Sequence, residues 1–506
     1  MGLLGLGMMT ACTNDDEAVN VNPNDGDKAT AQIMISVAAS NTTTRTETAG
    51  DSGDEVAATE SENNIKSLTI VLADANGVAQ QVVTPEMKTE ITTNKEIRAT
   101  EPFNITPGKF YVYVLANYEK NKENISPVII GSTNMKQAFG ITGTLSTANQ
   151  FFMSNADKVE EVDFTVDGTD TEVDDDGTDV TNGEKVKLVE ANIERVVSKV
   201  TFNNSNDAKF EVKDGNTVVA KATLQGVSLI NLNKKMYIVK NKVTPTGITT
   251  PSWTNSWYYA EDPNYNSTTD LENNFSQAEA AEFSTPAEAV FYCPENTMAA
   301  NAQLHGQTTG VVYKIAFAPE NTIYVKLANG GTDAYSTVFT KVLSNANKGD
   351  ITETIFDGDL ETSDDVTEGS FYVYKGLIFK NKKAAYLYRA IDNKLSSQDG
   401  SDVITEYQGY AISAPEDVIL YKGGVCYYTA WIKHNPTTQA SMEHGKYGTV
   451  RNHWYELKVT GINALGHYEP TYENATDPDD PKKAKIQVQA TVKKWVLVKQ
   501  DVILGQ

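Results

Sequence analysis

"AQIMISVA", residues 31–38, sets Ile33, Ile35 and Val37 against Gln32, Met34 and Ser36 in strict alternation. A period of two places the two sets on opposite faces of a β-strand. One basic residue, Arg45, follows it, and no other Lys or Arg stands between Lys28 and Lys66. By itself a lone arginine on a polar stretch is a solvated surface residue. The next apolar run, "IKSLTIVLADANG" at 65–77, reads as a strand that ends in an Asn76-Gly77 turn.

Further out the signals stay β. "KFYVYVLANY" (109–118) follows Pro107-Gly108 and reads as a strand buried on both faces. "KVEEVDFTV" (158–166), "VKLVEANIERVVSKVTFNN" (186–204), "EAVFYC", "GVVYKIAFA", "TIYVKLA", "GSFYVYKGLIF", "VCYYTAWI" and "HWYELKVTGI" continue the pattern between turn residues. "TNMKQAFGI" and "NFSQAEAAEF" read as short helices. This spacing predicts an all-β chain of two β-sandwich domains, with Greek-key-like, transthyretin- or immunoglobulin-type topology and a few short helices. The domain boundary is expected near 188, and "DGTDTEVDDDGTDVTNGE" (167–184) and "NATDPDDPKKAK" (474–485) read as loop and linker. After the linker, "IQVQATVKKWVLVKQDVIL" (486–504) alternates from Ile486 through Val488 to Val492, then shifts phase at Lys493-Lys494 before Trp495 and Leu497. It is longer than a usual strand of about five or six residues, so it either bends between two sheets or serves two different ones.

The chain has 506 residues, enough for more than one core, and 67 acidic against 43 basic residues, a net charge of −24. That balance argues against nucleic acid, whose phosphates need clustered Lys and Arg. "GLLGLGMMTAC" (2–12) is too short to span a bilayer and reads as the end of a secretory signal. Met9-Thr10-Ala11-Cys12 resembles a bacterial lipobox, with Cys12 the lipidated residue, and the acidic "TNDDE" behind it resembles the surface-export signal of Bacteroidales lipoproteins. The plainer alternative is a short buried apolar segment followed by a linker. Cys293 and Cys426 sit in apolar aromatic runs and read as two core thiols, with a disulfide between them the alternative in an exported protein.

No catalytic or cofactor constellation assembles. There is no Walker loop, no G-x-G-x-x-G after a strand and no G-x-S-x-G elbow. The histidines His434, His444, His453 and His467 follow His305 at spacings (10, 9 and 14 among the last four) that match no zinc pattern. Glu172, Asp174, Asp176 and Gly177 resemble part of a calcium loop, but the twelfth position is Gly183, with Glu184 one late, so a solvated acidic loop is the preferred reading. "WTNSWYYAEDPNY" (253–265) offers aromatic faces that stack on sugars or cap a core. No enzyme activity, cofactor or metal is expected.

The order of these pieces carries a resemblance. A lipobox, an alternating strand, a lone Arg, a polar stretch and "IKSLTIVLADANG" are followed by "IERVVSKVTF" (193–202), then "CYYTAWIKHN" (426–435) and "GTVRNHWYELKVTGINALG" (448–466), with Tyr427, Tyr428, Trp431, Arg451, Asn452 and Tyr455. "VQATVKKWVLV" with its single Trp495 closes the series. The chain resembles the fimbrillins of Bacteroidales type V pili, particularly the major subunit of the short fimbria, over nearly its whole length, loosely so in 205–400.

The resemblance implies a surface lipoprotein precursor. Residues 1–11 would be its signal, 12–45 a propeptide with a removable first strand, 46–188 an N-terminal acceptor sandwich and 189–473 a C-terminal sandwich. Residues 474–485 would be a linker and 486–506 a donor strand. An Arg-specific protease would cut between Arg45 and Thr46, and the strand bearing Ile33, Ile35 and Val37 would leave. A neighbour's Ile486, Val488, Val492, Trp495, Leu497, Val502 and Leu504 would then fill the groove. An incoming strand satisfies the exposed edges and seats alternate side chains in pockets. Arg98 competes as a cutting site, but cleavage there removes two strands. The implied partners are neighbouring pilus subunits as a homopolymer, anchor and tip subunits, the protease, and host or bacterial surface receptors, with the outer membrane met only through the precursor lipid. The implied role is a stalk subunit serving adhesion and biofilm formation. The alternative is a tip adhesin or glycan-binding surface lipoprotein of the same architecture.

Overall fold

The computed structural model describes residues 28–496 apart from 38–54, 89–96, 157–158, 176, 242–258, 277–279, 281, 323–324, 329–330, 335–366, 395–399, 437–440, 473 and 481–483. The chain is all-β, with short helices. The elements that build its cores are β1 (Ala29–Val37), β2 (Glu55–Ala57), α1 (Glu60–Asn63), β3 (Leu68–Ala73), β4 (Ala79–Val83), β5 (Ile97–Ala99), β6 (Phe103–Ile105) and β7 (Gly108–Ala116). Then come β8 (Met153–Asn155), β9 (Glu161–Phe164), β10 (Asp170–Thr171), β11 (Lys185–Arg195), β12 (Val197–Phe202), β13 (Lys209–Asp214), β14 (Thr217–Ile230), β15 (Val290–Pro294) and β16 (Gly310–Pro319). The last are β17 (Phe371–Tyr374), β18 (Leu377–Phe379), α2 (Lys382–Asn393), α3 (Gly400–Gly409), β19 (Ile419–Tyr421), β20 (Val425–Trp431), β21 (His453–Ile462) and β22 (Ile486–Val496).

The first sheet has the order β4-β3-β7-β8-β11-β1-β5, with β9 on β7, β10 on β11 and β6 on β1. Its middle strands read as unbroken apolar runs because both faces are covered: every residue of Leu68–Ala73 is buried, as is Val112–Ala116. The Asn76-Gly77 turn forms as expected, with Gly77 at φ +91°.

The second half is a sandwich. One sheet runs β2-β22-β21-β12-β15 and the other β13-β14-β16-β20. They share a core that includes Val200, Leu224, Tyr313, Cys426, Tyr455, Leu457, Ile486 and Val492. The crossover between the halves comes at Val196, later than the expected 188, because β11 completes the first sheet and β12 opens the second without a loop between them. Residues 185–202 are thus the segment that serves two sheets. The described part of the last strand, β22, stays in one sheet; Leu497, Val502 and Leu504 lie outside the described residues.

The first expected short helix is corrected, and so is the described start of the second; residues 277–279 and 281 lie outside the described residues. Residues 133–141 form turns and the strand Ala138–Gly140, and Phe275–Ser276 is a strand preceded by the four-residue helix Leu271–Asn274. The longer helices are α2, packed on the β18-β17-β19 sheet, and α3, packed against α2. Ala384, Leu387 and Ile391 recur at helical spacing and are buried there, and Asn381 caps α2 by accepting from the Ala384 amide at 2.8 Å. Among the described residues no helix is long and apolar enough to cross a membrane.

Candidate functional site: the seats of the first and last strands

β1 is clasped on both edges. It runs parallel to β11, Ala31 opposite Lys187 through Val37 opposite Ile193, and antiparallel to β5 and β6 on the other side. Ala29, Ala31, Ile33 and Ile35 are at most 1 % exposed and enter the first core. Val37 continues the strand opposite Ile193.

The opposite face of β1 is also covered. Gln32 is fully buried, and its Nε2 donates to the carbonyls of Thr100 (2.9 Å) and Val173 (2.8 Å) while Oε1 accepts from the Val173 amide (2.8 Å). Thr100 reciprocates by bonding Ile33 through its backbone amide (2.9 Å) and its hydroxyl (3.1 Å). The Ser36 hydroxyl donates to Asn192 Oδ1 on β11.

The lid over this face is the acidic segment expected to be a solvated loop. Glu172 accepts from Lys88 Nζ at 2.6 Å, and the buried Asp175 accepts from Arg98 Nε and the Ala99 amide, both at 3.2 Å. The Lys88 hydrogen bond holds the Glu172 carboxyl below its usual range. Gly177 (φ +82°) passes so close that a Cβ there would stand 2.9 Å from Met34 Sδ. Asp174 lies 3.9 Å from Lys88, Asp176 is outside the described residues, and among the described residues no group of three or more acidic, His or Cys side chains could hold a metal ion. Arg98, the competing cleavage site, is held in β5 against Asp175.

β22 sits differently. It pairs antiparallel with β21 from His453–Lys494 to Ile462–Ile486, and on its other edge, among the described residues, only with β2, in parallel, at Lys494, Trp495 and Val496. Ile486, Val488, Ala490 and Val492 face the second core, while Gln487, Gln489 and Thr491 are exposed. Between β22 and β20 lies a cavity of about 310 Å³, lined by Ile486, Val488 and Ala490 on one side and Tyr427, Tyr428 and Trp431 on the other. The linker expected to be free is pinned on that side. Asp479 accepts from the Thr308 hydroxyl at 2.5 Å, and Asp480 accepts from Lys446 Nζ (2.9 Å) and Tyr447 Oη (2.6 Å).

At its far end β22 locks both halves together. Trp495 is buried, stacked on Tyr292 (5.8 Å), edge-on to Phe151 (6.0 Å) and under the Arg195 guanidinium (4.3 Å). Arg195 donates to the carbonyls of Glu62 (3.0 Å) and Trp495 (3.2 Å), to Asn452 Oδ1 (2.9 Å) and to Asn63. Burial pulls Arg195 down to about 10, which leaves it charged at neutral pH. Glu62, in α1, accepts from Lys199 (2.7 Å) and Tyr292 (2.6 Å). Burial alone would raise the Glu62 carboxyl, but the hydrogen bonds from Lys199, Tyr292 and the Thr59 amide outweigh it and hold the group below its usual range. Strand periodicity misses this cluster; its one signal in the sequence is the charged Glu194, Arg195 and Lys199 inside a run otherwise rich in Val.

Residues 419–501, from β19 through β22 and beyond, match the family model described as major fimbrial subunit protein type IV, fimbrillin, C-terminal. Over that stretch the chain is similar to the C-terminal region of fimbrillins. No curated protein matches it. Among solved structures it is similar to a fimbrilin (FimA) from Porphyromonas gingivalis W83, at 14 % identity and TM-score 0.37 over 93 % of this chain and 99 % of that one. A putative cell adhesion protein from Parabacteroides distasonis is similar at 10 % identity and TM-score 0.42 over 94 % and 99 %. The tip fimbrial protein Mfa3 of Porphyromonas gingivalis is similar at 11 % and 0.31 over 92 % and 100 %.

Several other candidate residues pack into the cores. Cys293 and Cys426 are free, buried thiols, each pushed up to about 11 by burial. His434 meets Tyr455 Oη at 2.8 Å and His444 meets Tyr265 Oη at 2.5 Å. The described end of the aromatic patch is core: Tyr259 and Tyr265 are buried with Val450. Trp253 and Trp257, like Cys12, Arg45 and Thr46, lie outside the described residues.

Proposed function

We propose that this chain is the stalk subunit of a cell-surface pilus. It is exported as an outer-membrane lipoprotein through Cys12 and cut between Arg45 and Thr46 by an Arg-specific protease. It then polymerises when residues 486–506 of one copy take the place of β1 in the next. The observation that carries this reading is the seat of β1. β1 is a fully clasped interior strand, and the Arg45 segment lies between it and β2. Cutting at Arg45 leaves β1 tied by non-covalent contacts alone, and its departure opens a trough with two unpaired edges. Arg98 is the poorer substrate, since a protease needs an extended, accessible chain and Arg98 is paired in β5. A head-to-tail contact of this kind does not close on itself, so it builds a filament. The partners of such a subunit are its anchor and tip counterparts, the protease and surface receptors, and its role is adhesion and biofilm formation.

The test is limited trypsin treatment of the unlipidated precursor, with Arg45→Ala and a chain ending at Lys485 as controls. New N-termini are read by mass spectrometry and assembly by electron microscopy. A Thr46 N-terminus, with filaments that need both Arg45 and residues 486–506, is expected. Clean cleavage with persistent monomers would overturn the stalk role in favour of a tip adhesin or glycan-binding subunit. No cut at Arg45 would remove the processing step.

A further inference from the structure

If a neighbour's last strand replaces β1, something must set its register, since a slip of two residues keeps the same face inward. On the foundation of the donor-strand reading above, we propose that a buried glutamine–hydroxyl pair sets it: Gln487 of the incoming strand takes the seat of Gln32, and Thr491 that of Ser36.

The seat makes a specific demand. Gln32 is fully buried and bridges two backbone segments, satisfying the Thr100 carbonyl together with both the amide and the carbonyl of Val173. Removal of β1 strands all three groups, and buried polar groups without partners are costly. Only a side chain with both a donor and an acceptor at that position restores them. Four residues on, the Ser36 hydroxyl donates to Asn192. In β22 the outward face carries Gln487 and, four residues on, Thr491, both exposed in their own chain.

The competing registers fail on charge. With Gln487 at Gln32, the inward face becomes Ala484, Ile486, Val488, Ala490 and Val492 in place of Ala29, Ala31, Ile33, Ile35 and Val37. The total volume changes by about one methylene, with an isoleucine moved from the place of Ile35 to that of Ala31, a swap that cores absorb by local repacking. Both Lys493 and Lys494 then fall beyond the end of β1. Sliding the strand so that Gln489 meets the Gln32 seat puts Lys493 in the half-buried place of Ser36. Sliding it the other way puts Lys485 into the fully buried Gln32 seat, against the Val173 amide. Using Gln500 puts Lys499 in the place of Ala31. An unpaired charge in such a seat is penalised far more than a lost methylene.

The test is cross-linking of trypsin-cleaved subunits. Asn192→Cys stands opposite position 36 of the seat. It is combined in turn with Gln489→Cys, Thr491→Cys or Lys493→Cys and treated with a short bifunctional thiol reagent. A ladder of covalent oligomers at least tenfold stronger for Thr491→Cys is expected. A ladder strongest for Gln489→Cys or Lys493→Cys would overturn the register while leaving strand donation standing. Filaments without a ladder from any pair would overturn donation itself. Where a variant fails to assemble, a synthetic 484–494 peptide carrying each cysteine is offered to the cleaved Asn192→Cys chain. Equal capture at all three positions, or none, overturns the register.

Discussion

β1 and β22 have similar alternation and opposite situations. β1 is paired along both edges and covered on both faces, with Gln32 and the Glu172–Gly177 lid over the side that a sandwich strand would show to water. Among the described residues β22 has one full ladder, a second edge paired only near Trp495, an exposed outer face and a cavity of about 310 Å³ beneath it. Cavities beside apolar side chains forgo dispersion contacts. The comparison teaches that the strand better packed at home is the one that lies beside the Arg45 segment, and the strand less well packed is the one proposed to go elsewhere.

The largest effect expected from this contrast is on stability. Ile33→Ala should cost about 2–5 kcal/mol, the range for a fully buried large-to-small change. Val488→Ala, half-buried beside the cavity, should cost about 1 kcal/mol. Denaturant unfolding of the uncleaved chain measures both, and equal costs would break the comparison.

A smaller effect is expected at the Trp495 end. Glu62→Gln weakens a charge-assisted bond to Lys199, worth about 1.5–3 kcal/mol. Hydrogen exchange should rise in 486–496 and stay unchanged in 29–37. A rise confined to 29–37 would mean that α1 steadies the first strand and not the last.

Acid should act on the buried histidines by a smaller increment per step. All five histidines lie beyond Phe202. Burial pushes His444 down to about 4 and His434 well below its usual value, the latter with help from His453 and Lys240. A folded pKa below the unfolded value means that the unfolded chain binds more protons, so stability falls as pH drops from about 6.5 toward 4. The loss is about 1.4 kcal/mol per pH unit for each such histidine. Burial also raises Asp262 to about 8 and Asp479 well above its usual range, which opposes the histidines over the same window. The histidine contribution is therefore read by comparing the chain with His444→Gln in thermal unfolding between pH of about 6.5 and 4. The variant's stability should rise by about 1.4 kcal/mol per pH unit, relative to the parent, as pH falls, and an unchanged difference would refute the assignment.

Much of this was legible in residues. The alternation of Ile33 and Ile35, the Asn76-Gly77 turn and the apolar run into Ala116 each come from local physics, because period and turn chemistry are properties of neighbours in sequence. The lid was not legible. Glu172 and Asp175 look solvated until Lys88 and Arg98, far away in the chain, meet them. Arg195 was hidden for the same reason: its partners are Glu62, Asn452 and Trp495, brought together only by tertiary structure. The sheet change at Val196 is hidden because no turn residue marks it. The helices α2 and α3 sit in the stretch where the family resemblance is loosest, or beside it, and their helical period is easily lost among strands on either side.

The parallel pairing of β1 with β11 also fixes how a filament would carry load. β11 passes through Val196 directly into β12 of the C-terminal half, and β12 lies beside β21, which holds β22. A donor in the β1 seat would be pulled from its N-terminal end, toward its own subunit, while β11 is pulled from its C-terminal end. In a parallel pair those pulls are opposed and lie along the strands, so the evenly spaced bonds of the ladder take tension together as shear. Tension would then run strand to strand down the shaft and would not peel the joint open one bond at a time.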